Sequence, residues 1–279
     1  MNLAISHTRS VIGIKALAVN VEVHLSNGLP AFSIVGLPQT AVKESKDRVR
    51  SAIINSEFEF PCRRITVNLS PADLPKSGCG FDLPIAIGIL SASGQLPMNQ
   101  LSAHEFIGEL ALDGSIRGIK SIIPAAVVAR KNSKKLIIAQ DNAEEAALVN
   151  YQEVFIAHNL REVCGYLRQQ NKLSSLPDLP TKTNENNHLD WSDVKGQEHP
   201  KLAMQIAASG GHSIILNGPP GSGKTMLAKR FNTLLPELNA DDALDCISLR
   251  AIAGQKTNFN NNWRLPPIRS PHHTSSHLA

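Results

Sequence analysis

Apolar and polar residues alternate through Val19, Val21, Val23 and Leu25, with Asn20, Glu22 and His24 between them. A period of two is that of a half-buried strand. Asn27-Gly28 behind it predicts a hairpin turn, and Phe32 and Ile34, carried on to Gly36, predict the partner strand. From Gln39 to Asn55 the period lengthens: Val42, Val49, Ala52 and Ile53 share one helical face and charges cover the other. Ile65, Val67 and Leu69 return to period two. Asp82 then predicts a helix cap, with Pro84 in the first turn, Ile85, Ile87, Ile89 and Leu90 along the helix and Gly94 past its end. Phe106–Leu112 and Ser115–Ile119, joined at Asp113-Gly114, predict a second hairpin. Further on the pattern predicts a helix over Pro124–Arg130, a strand at Leu136–Ala139, a short helix at Ala143–Leu148, a strand at Val154–Ala157 and a helix at Leu160–Leu167. Residues 1–168 thus read as one mixed α/β domain, antiparallel in part.

Residues 169–188 carry no such period. They are rich in Gln, Asn, Ser, Thr and Lys, with Pro177 and Pro180 among them, and read as a linker. A second domain, 189–279, follows. A helix from about Pro200 to Ser209 is stopped by Gly210-Gly211, Ser213–Leu216 reads as a short buried strand, and Met226–Phe231 reads as a helix. Leu238–Ile252 predicts one more helix, closed by Gly254, after which the chain is polar and rich in proline to Ala279.

Between the predicted strand and helix lies Gly218-Pro219-Pro220-Gly221-Ser222-Gly223-Lys224-Thr225, which fits the phosphate-binding pattern G-x-x-x-x-G-K-[ST]. Glycines at 221 and 223 permit backbone angles that a side chain blocks. Successive N–H groups then turn inward as an anion nest. Lys224 is expected to reach the β- and γ-phosphates of ATP and the Thr225 hydroxyl to hold Mg²⁺; Met226, the next residue, completes the predicted nucleotide-binding set. No catalytic residue is assigned.

Composition narrows the classes. Hydrophobic residues make up 42% and charged residues 19%, an ordinary globular balance, and the net charge of +4 selects no particular partner. No apolar run approaches a membrane span and no signal peptide is read at the N-terminus, so a cytoplasmic protein is expected. Cys62, Cys79, Cys164 and Cys246 are far apart, which points to reduced thiols rather than to a disulfide framework or zinc site. Lys43, Lys46, Arg48, Arg50, Arg63 and Arg64 read first as a solvated surface interleaved with Glu44 and Asp47, and second as phosphate contacts. Arg130, Lys131, Lys134 and Lys135 form a denser cluster at a predicted helix end, where positive charge is favoured. Aromatic residues are only 4%, too few for a stacking platform along single strands. His272, His273 and His277 read as tail residues before they read as metal ligands.

Five stretches taken together carry a resemblance: Gly36-Leu37-Pro38 with Val42–Arg50, Arg63–Lys76, Phe81–Ala86, Asn217–Ala228 across the phosphate loop, and Arg269–Thr274. The sequence resembles the magnesium-chelatase subunit I-like AAA+ ATPases, most closely the ComM/YifB competence group. The resemblance implies an N-terminal domain with the ribosomal S5 domain 2-like fold, shared with the Lon protease domain, followed by a P-loop AAA+ α/β module that forms hexameric rings. It implies ATP with Mg²⁺, DNA as a partner of the full-length protein, and ATP-driven branch migration of DNA during natural transformation. Val194 and Gly196 stand where AAA+ proteins line the adenine pocket. An alternative within the same resemblance is an ATPase that assists metal insertion into another protein, and another is a non-hydrolytic adaptor fragment.

Departures from the family are as informative. Pro75-Lys76-Ser77-Gly78-Cys79-Gly80 resembles the Lon stretch that ends in its nucleophile, yet Gly80 stands where the serine is expected and Ile123 roughly where the lysine is expected. A Ser–Lys dyad needs both groups, so no protease is expected, and Ser77 and Cys79 read as structural. AAA+ hydrolysis also needs a Walker B strand ending in Asp-Glu. After Thr225 the adjacent acid pair is Asp241-Asp242, at a predicted helix start. The AAA+ module is therefore read as incomplete, with Walker A only, through a premature stop or frameshift, and with Ser213–Leu216 left without flanking strands. A stable first domain and a marginal second one are expected.

Overall fold

The structure, a computed structural model, describes residues 2–76, 78, 80–177, 189–255 and 263–269. The chain divides into two compact units, one of Met1–Leu179 with Ser248–Thr257, the other of Pro180–Ile247 with Asn258–Ala279.

The first unit opens with a long hairpin, β1 (Leu3–Ile12) and β2 (Lys15–Ser26), turned at Gly13. Strand β1 escapes the hydrophobic pattern because its alternation is inverted. Ser6, Thr8 and Ser10 face inward while Leu3 and Ile5 are half exposed. Two of the three buried hydroxyls are used: Ser6 Oγ donates to the Pro84 carbonyl (2.7 Å) and Ser10 Oγ to the Pro75 carbonyl (3.0 Å), while Thr8 Oγ1 has no hydrogen-bond partner. The central helix comes very close: a Cβ on its Gly88 would lie 2.6 Å from Val23 Cγ2 of β2 and 3.6 Å from Ser6 Oγ of β1.

Strand β3 (Ala31–Val35) does not form the hairpin expected with β2. The chain leaves β3 through α1 (Thr40–Asn55) and returns as β4 (Arg64–Ser70), which pairs antiparallel with β2 and parallel with β3, giving the order β1-β2-β4-β3. A parallel neighbour needs such a crossover. The burial of each strand explains its rank. Ile65, Val67 and Leu69 of β4 are fully buried opposite Leu25, Val23 and Val21 of β2, whereas β3 is half-buried and suits an edge. Helix α1 buries the predicted face of Val42, Val49, Ala52 and Ile53.

Every residue of α2 (Asp82–Ala92) is buried. Asp82 does not cap it as expected: Phe81 is the N-cap residue and no side chain caps the helix. A buried carboxylate needs partners, and Asp82 takes Arg48 of α1 in a two-pronged ion pair (2.7 and 3.1 Å) and the Leu110 N–H (3.2 Å). Desolvation nevertheless dominates and raises its pKa to about 6.

The second predicted hairpin is shorter than expected, because its first residues join another sheet. Strand β5 (His104–Phe106) pairs parallel with residues 135–137 further on, while β6 (Glu109–Leu110) pairs with β7 (Ile116–Arg117) across the Asp113-Gly114 turn. Helix α3 (Ile123–Lys131), strand β8 (Lys135–Ala139), helix α4 (Ala143–Ala147), strand β9 (Val154–Ala157) and helix α5 (Leu160–Leu167) follow. Strands β5, β8 and β9 are parallel, and β10 (Ser174–Ser175), inside the stretch expected as linker, adds antiparallel to β9. Arg9 of β1 ties the two sheets together through a buried two-pronged pair with Glu105 of β5 (2.6 and 2.5 Å). The core runs continuously from Val21, Val67 and Ile87 to Phe106, Ile137 and Leu160.

The second unit holds a short turn at Trp191–Asp193, α6 (Glu198–Gly210), α7 (Lys224–Arg230) with a 3-10 turn to Leu234, and the start of α8 (Ala240–Ile252). The strand expected at Ser213–Leu216 is absent. The segment runs without ladder pairing, and Ile215 is 91% exposed. A strand exists only through its neighbours, and no other strand is present among the described residues of this unit. Ile214 and Leu216 still pack on a small core of Val194, Met204 and Leu227. Taken whole, the described chain is mixed α/β with parallel and antiparallel strands.

Candidate nucleotide-binding site

The phosphate motif forms a loop between this extended segment and α7. Gly221 and Gly223 have positive φ (81° and 84°), the left-handed region that favours glycine. Gly223 is also the N-cap of α7, and its carbonyl accepts the first helical bond, from Leu227 N–H (3.0 Å). Leu227 is buried and anchors the helix in the small core.

The structure brings the motif residues together around the lysine. The Lys224 ammonium donates to the carbonyls of Gly218 (2.9 Å) and Pro219 (2.7 Å) and lies 3.3 Å from Ser222 Oγ. The amine therefore spans the loop from within. Gly218, Pro219, Pro220 and Gly221 are exposed, Ser222, Gly223 and Lys224 half-buried, and Thr225 and Met226 exposed at the start of α7. These groups fit a polyphosphate. Two left-handed glycines clear side chains from the loop's inner turn, the cation is already held there, and the Thr225 hydroxyl follows next in the chain.

Two neighbours of the loop come from the segment before α6. Val194 is buried against Leu227 and Met204, so it supports the loop helix from below. Gly196 has φ +65°. Gln197 lies beside the loop, its Nε2 3.4 Å from the Ser222 carbonyl. Periodicity and motif spacing give no sign of this glutamine; its only mark in the sequence is a place just ahead of a predicted helix. Arg230, at the far end of α7, donates to the Asp190 carbonyl (3.1 Å) and pairs with Asp193 (3.3 Å). The Asp190 N–H and Arg230 hold the Asp193 carboxyl below the usual range, and Ser192 does the same for Asp190.

Several of the other candidates have structural partners. Asp241-Asp242 lies in the first turn of α8, where Asn239 Oδ1 accepts the Asp242 N–H (2.8 Å). Arg48 is paired with Asp82, and Arg50 lies over the Phe60 ring at 5.1 Å. Arg130 donates to the Val149 carbonyl and Lys134 to the Ser102 carbonyl, while Lys135 pairs loosely with Glu153. At Gly80 a Cβ would meet Ile119 and Ile107 at 3.2 and 3.3 Å, and Ile123 is buried. Lys76 is fully buried, its ammonium on the Pro71 carbonyl, and desolvation lowers its pKa. Ser77, Cys79, His272, His273 and His277 lie outside the described residues. Among the described residues there is no metal-ligand cluster and no helix long and apolar enough to cross a membrane, and Cys62, Cys164 and Cys246 are free thiols.

Comparison with known proteins gives two family matches: "Subunit ChlI of Mg-chelatase" over residues 21–142 and "Magnesium chelatase, subunit ChlI" over residues 190–279. The chain is 48% identical to the competence protein ComM of Haemophilus influenzae, covering 99% of this chain and 55% of that protein. It is 47% identical to the uncharacterized protein YifB of Escherichia coli (100% and 55%) and 36% identical to the uncharacterized protein Rv2897c of Mycobacterium tuberculosis (100% and 56%). The chain thus spans about half the length of the curated relatives it matches.

Proposed function

Since this chain belongs to the magnesium chelatase subunit ChlI-like family of AAA+ proteins, in the ComM/YifB group, we propose that residues 218–226 bind ATP with Mg²⁺. The observation that carries this reading is the convergence of Lys224 on the carbonyls of Gly218 and Pro219 inside a loop built on two left-handed glycines. A cation fixed there meets a polyphosphate at close range, where charge-assisted hydrogen bonds are strongest. Lys224 would exchange its carbonyl partners for the β- and γ-phosphates, and Thr225 would hold the Mg²⁺. The bound nucleotide supplies a phosphoanhydride whose cleavage does work in an AAA+ motor. This chain's own part in the proposal is the binding step, because its Asp241-Asp242 pair is committed to the start of α8.

The wider reading follows from the family. The first domain, residues 1–168, is an S5 domain 2-like domain, 169–188 the linker, whose Ser174–Ser175 adds to that domain's sheet, and 189–279 the P-loop part of the AAA+ module. In full-length form the protein is a cytoplasmic homo-hexamer that moves DNA junctions at the expense of ATP during natural transformation. Titration with a fluorescent ATP analogue and Mg²⁺ tests the binding step. Saturable binding is expected, with Lys224→Ala weakening it by about tenfold or more, the loss of a charged hydrogen-bonding group. Absence of saturable binding would sink the reading.

A further inference from the structure

Gln197 is the residue in this unit whose backbone and side chain both call for an explanation. Its φ and ψ are +59° and +45°, left-handed for a residue that is not glycine, at a helix N-cap where extended angles are the rule. Gly196 before it is left-handed as well. Such conformations persist where the surroundings enforce them and gather at functional sites. Here the enforcement is visible. Val194 on one side and Met204 of α6 on the other are both buried in the core that also takes Leu227 of the loop helix. The backbone is pinned at both ends, and Gln197 bridges the span.

The strain places the Gln197 carboxamide against the phosphate loop. Its Nε2 donates to the Ser222 carbonyl at 3.4 Å and lies 2.9 Å from where a Cβ on Gly223 would sit. Gly223 is confined to glycine by its φ of +84°, and the absence of a Cβ there leaves room for this amide. In a trans peptide the carbonyl of one residue and the N–H of the next point in opposite directions. A side chain that holds the Ser222 carbonyl toward α6 therefore turns the Gly223 N–H the other way.

We propose that Gln197 is a positioning residue for nucleotide binding: it fixes the Ser222–Gly223 peptide so that the Gly223 N–H is presented to the phosphates. The inference rests on the nucleotide reading of residues 218–226 and adds a residue outside the motif to it. It also gives the left-handed strain a purpose, since an extended N-cap at 197 would carry the carboxamide away from the loop.

Gln197→Gly separates the side chain from the backbone. Glycine adopts the left-handed region without strain, so the melting temperature of the variant is expected to equal or exceed that of the wild type. Binding of the fluorescent ATP analogue is nevertheless expected to weaken about tenfold, the scale of one lost hydrogen bond and its alignment. In the nucleotide-free protein, amide hydrogen exchange across residues 218–225 is expected to speed up in the variant. Wild-type binding lost in Lys224→Ala but retained within twofold in Gln197→Gly overturns the positioning role and leaves the nucleotide reading intact. Unchanged exchange over the loop overturns it too, by a readout that needs no nucleotide. No saturable binding by the wild type removes both readings.

Discussion

The two units solve the same problem with very different resources. The first surrounds a fully buried helix, α2, with two sheets and α1, and its core runs unbroken from one sheet to the other. The second packs its loop helix on Val194, Met204 and Leu227, with Trp191, Ile214, Leu216, Phe231 and Leu234 half-buried around them, and otherwise buries only Ala207, Ala208, Ala243, Leu244 and Ile247 among its described apolar residues. The first also meets its buried charges with close partners, Arg9 with Glu105 and Arg48 with Asp82. The second leaves Ile215 in solvent and the segment leading into the phosphate loop without strand partners. The candidate site lies on the unit with fewer buried apolar contacts. Such regions open locally at lower free energy than a packed core. A phosphate loop needs its N–H groups held in register, and here three buried side chains and one strained glutamine do much of the holding.

The sharpest way to break this contrast is to truncate one side chain in each core. Ile87 is fully buried in α2, and Ile87→Ala is expected to cost about 2–5 kcal/mol, because transfer and cavity effects add in a site that cannot collapse. Leu227→Ala, in the sparse core, is expected at about 2 kcal/mol, the low end of the same range, since its surroundings can relax into the gap. Denaturant unfolding followed separately in each unit measures both. Equal losses would mean that the second core is packed as tightly as the first.

The next effect concerns charge. Asp82 is fully buried, and desolvation raises its pKa from 3.8 to about 6 despite the Arg48 pair. The folded state therefore holds that proton more tightly than the unfolded chain. The group's stabilising contribution is complete below pH 3.8 and is lost as pH rises through about 6. The difference corresponds to at most about 3 kcal/mol. Asp82→Asn should remove this dependence, so the variant is expected to gain on the wild type as pH rises from 4 to 7. Burial lowers the pKa of His104, which acts in the opposite sense, but it is common to both proteins and cancels in the difference. A gap between the two proteins that stays constant across that range would show that Arg48 fully compensates the buried charge.

What the residues disclose in advance follows the same divide. In the first unit, α1 and β4 are legible because one face is apolar and the other is not, and α2, β8 and β9 because they are nearly continuous apolar runs bounded by turn signals. Strand β1 is hidden because its inward residues are serine and threonine, which a hydrophobic pattern does not register. The β2–β3 hairpin misleads because Asn27-Gly28 is a local signal, while pairing is decided by β4, more than thirty residues further on, which is the better-buried neighbour. In the second unit the motif discloses the loop but not its support. Ser213–Leu216 has the composition of a buried strand, yet a strand depends on partners that a local pattern does not contain. Gln197 left no trace in the pattern because its role comes from backbone angle and proximity, which hydrophobic period does not encode.

The smallest expected effect bears on the acid pair that follows the loop. Asn239 caps α8: its Oδ1 accepts the Asp242 N–H at 2.8 Å, and its Nδ2 donates to the Asp242 carboxylate at 2.7 Å. Asp241 and Asp242 also place negative charge in the first turn, where the helix dipole favours it. If these groups serve the helix and not the nucleotide, Asn239→Ala should cost about 1 kcal/mol of stability, the usual loss on removing a cap, and leave the affinity for the ATP analogue unchanged. Helix content and melting temperature report the first quantity, and the same fluorescence titration reports the second. A variant that melts like the wild type but binds nucleotide more weakly would move the acid pair from the scaffold to the site, and would erase the distinction between a helix that supports the second unit and a loop that works in it.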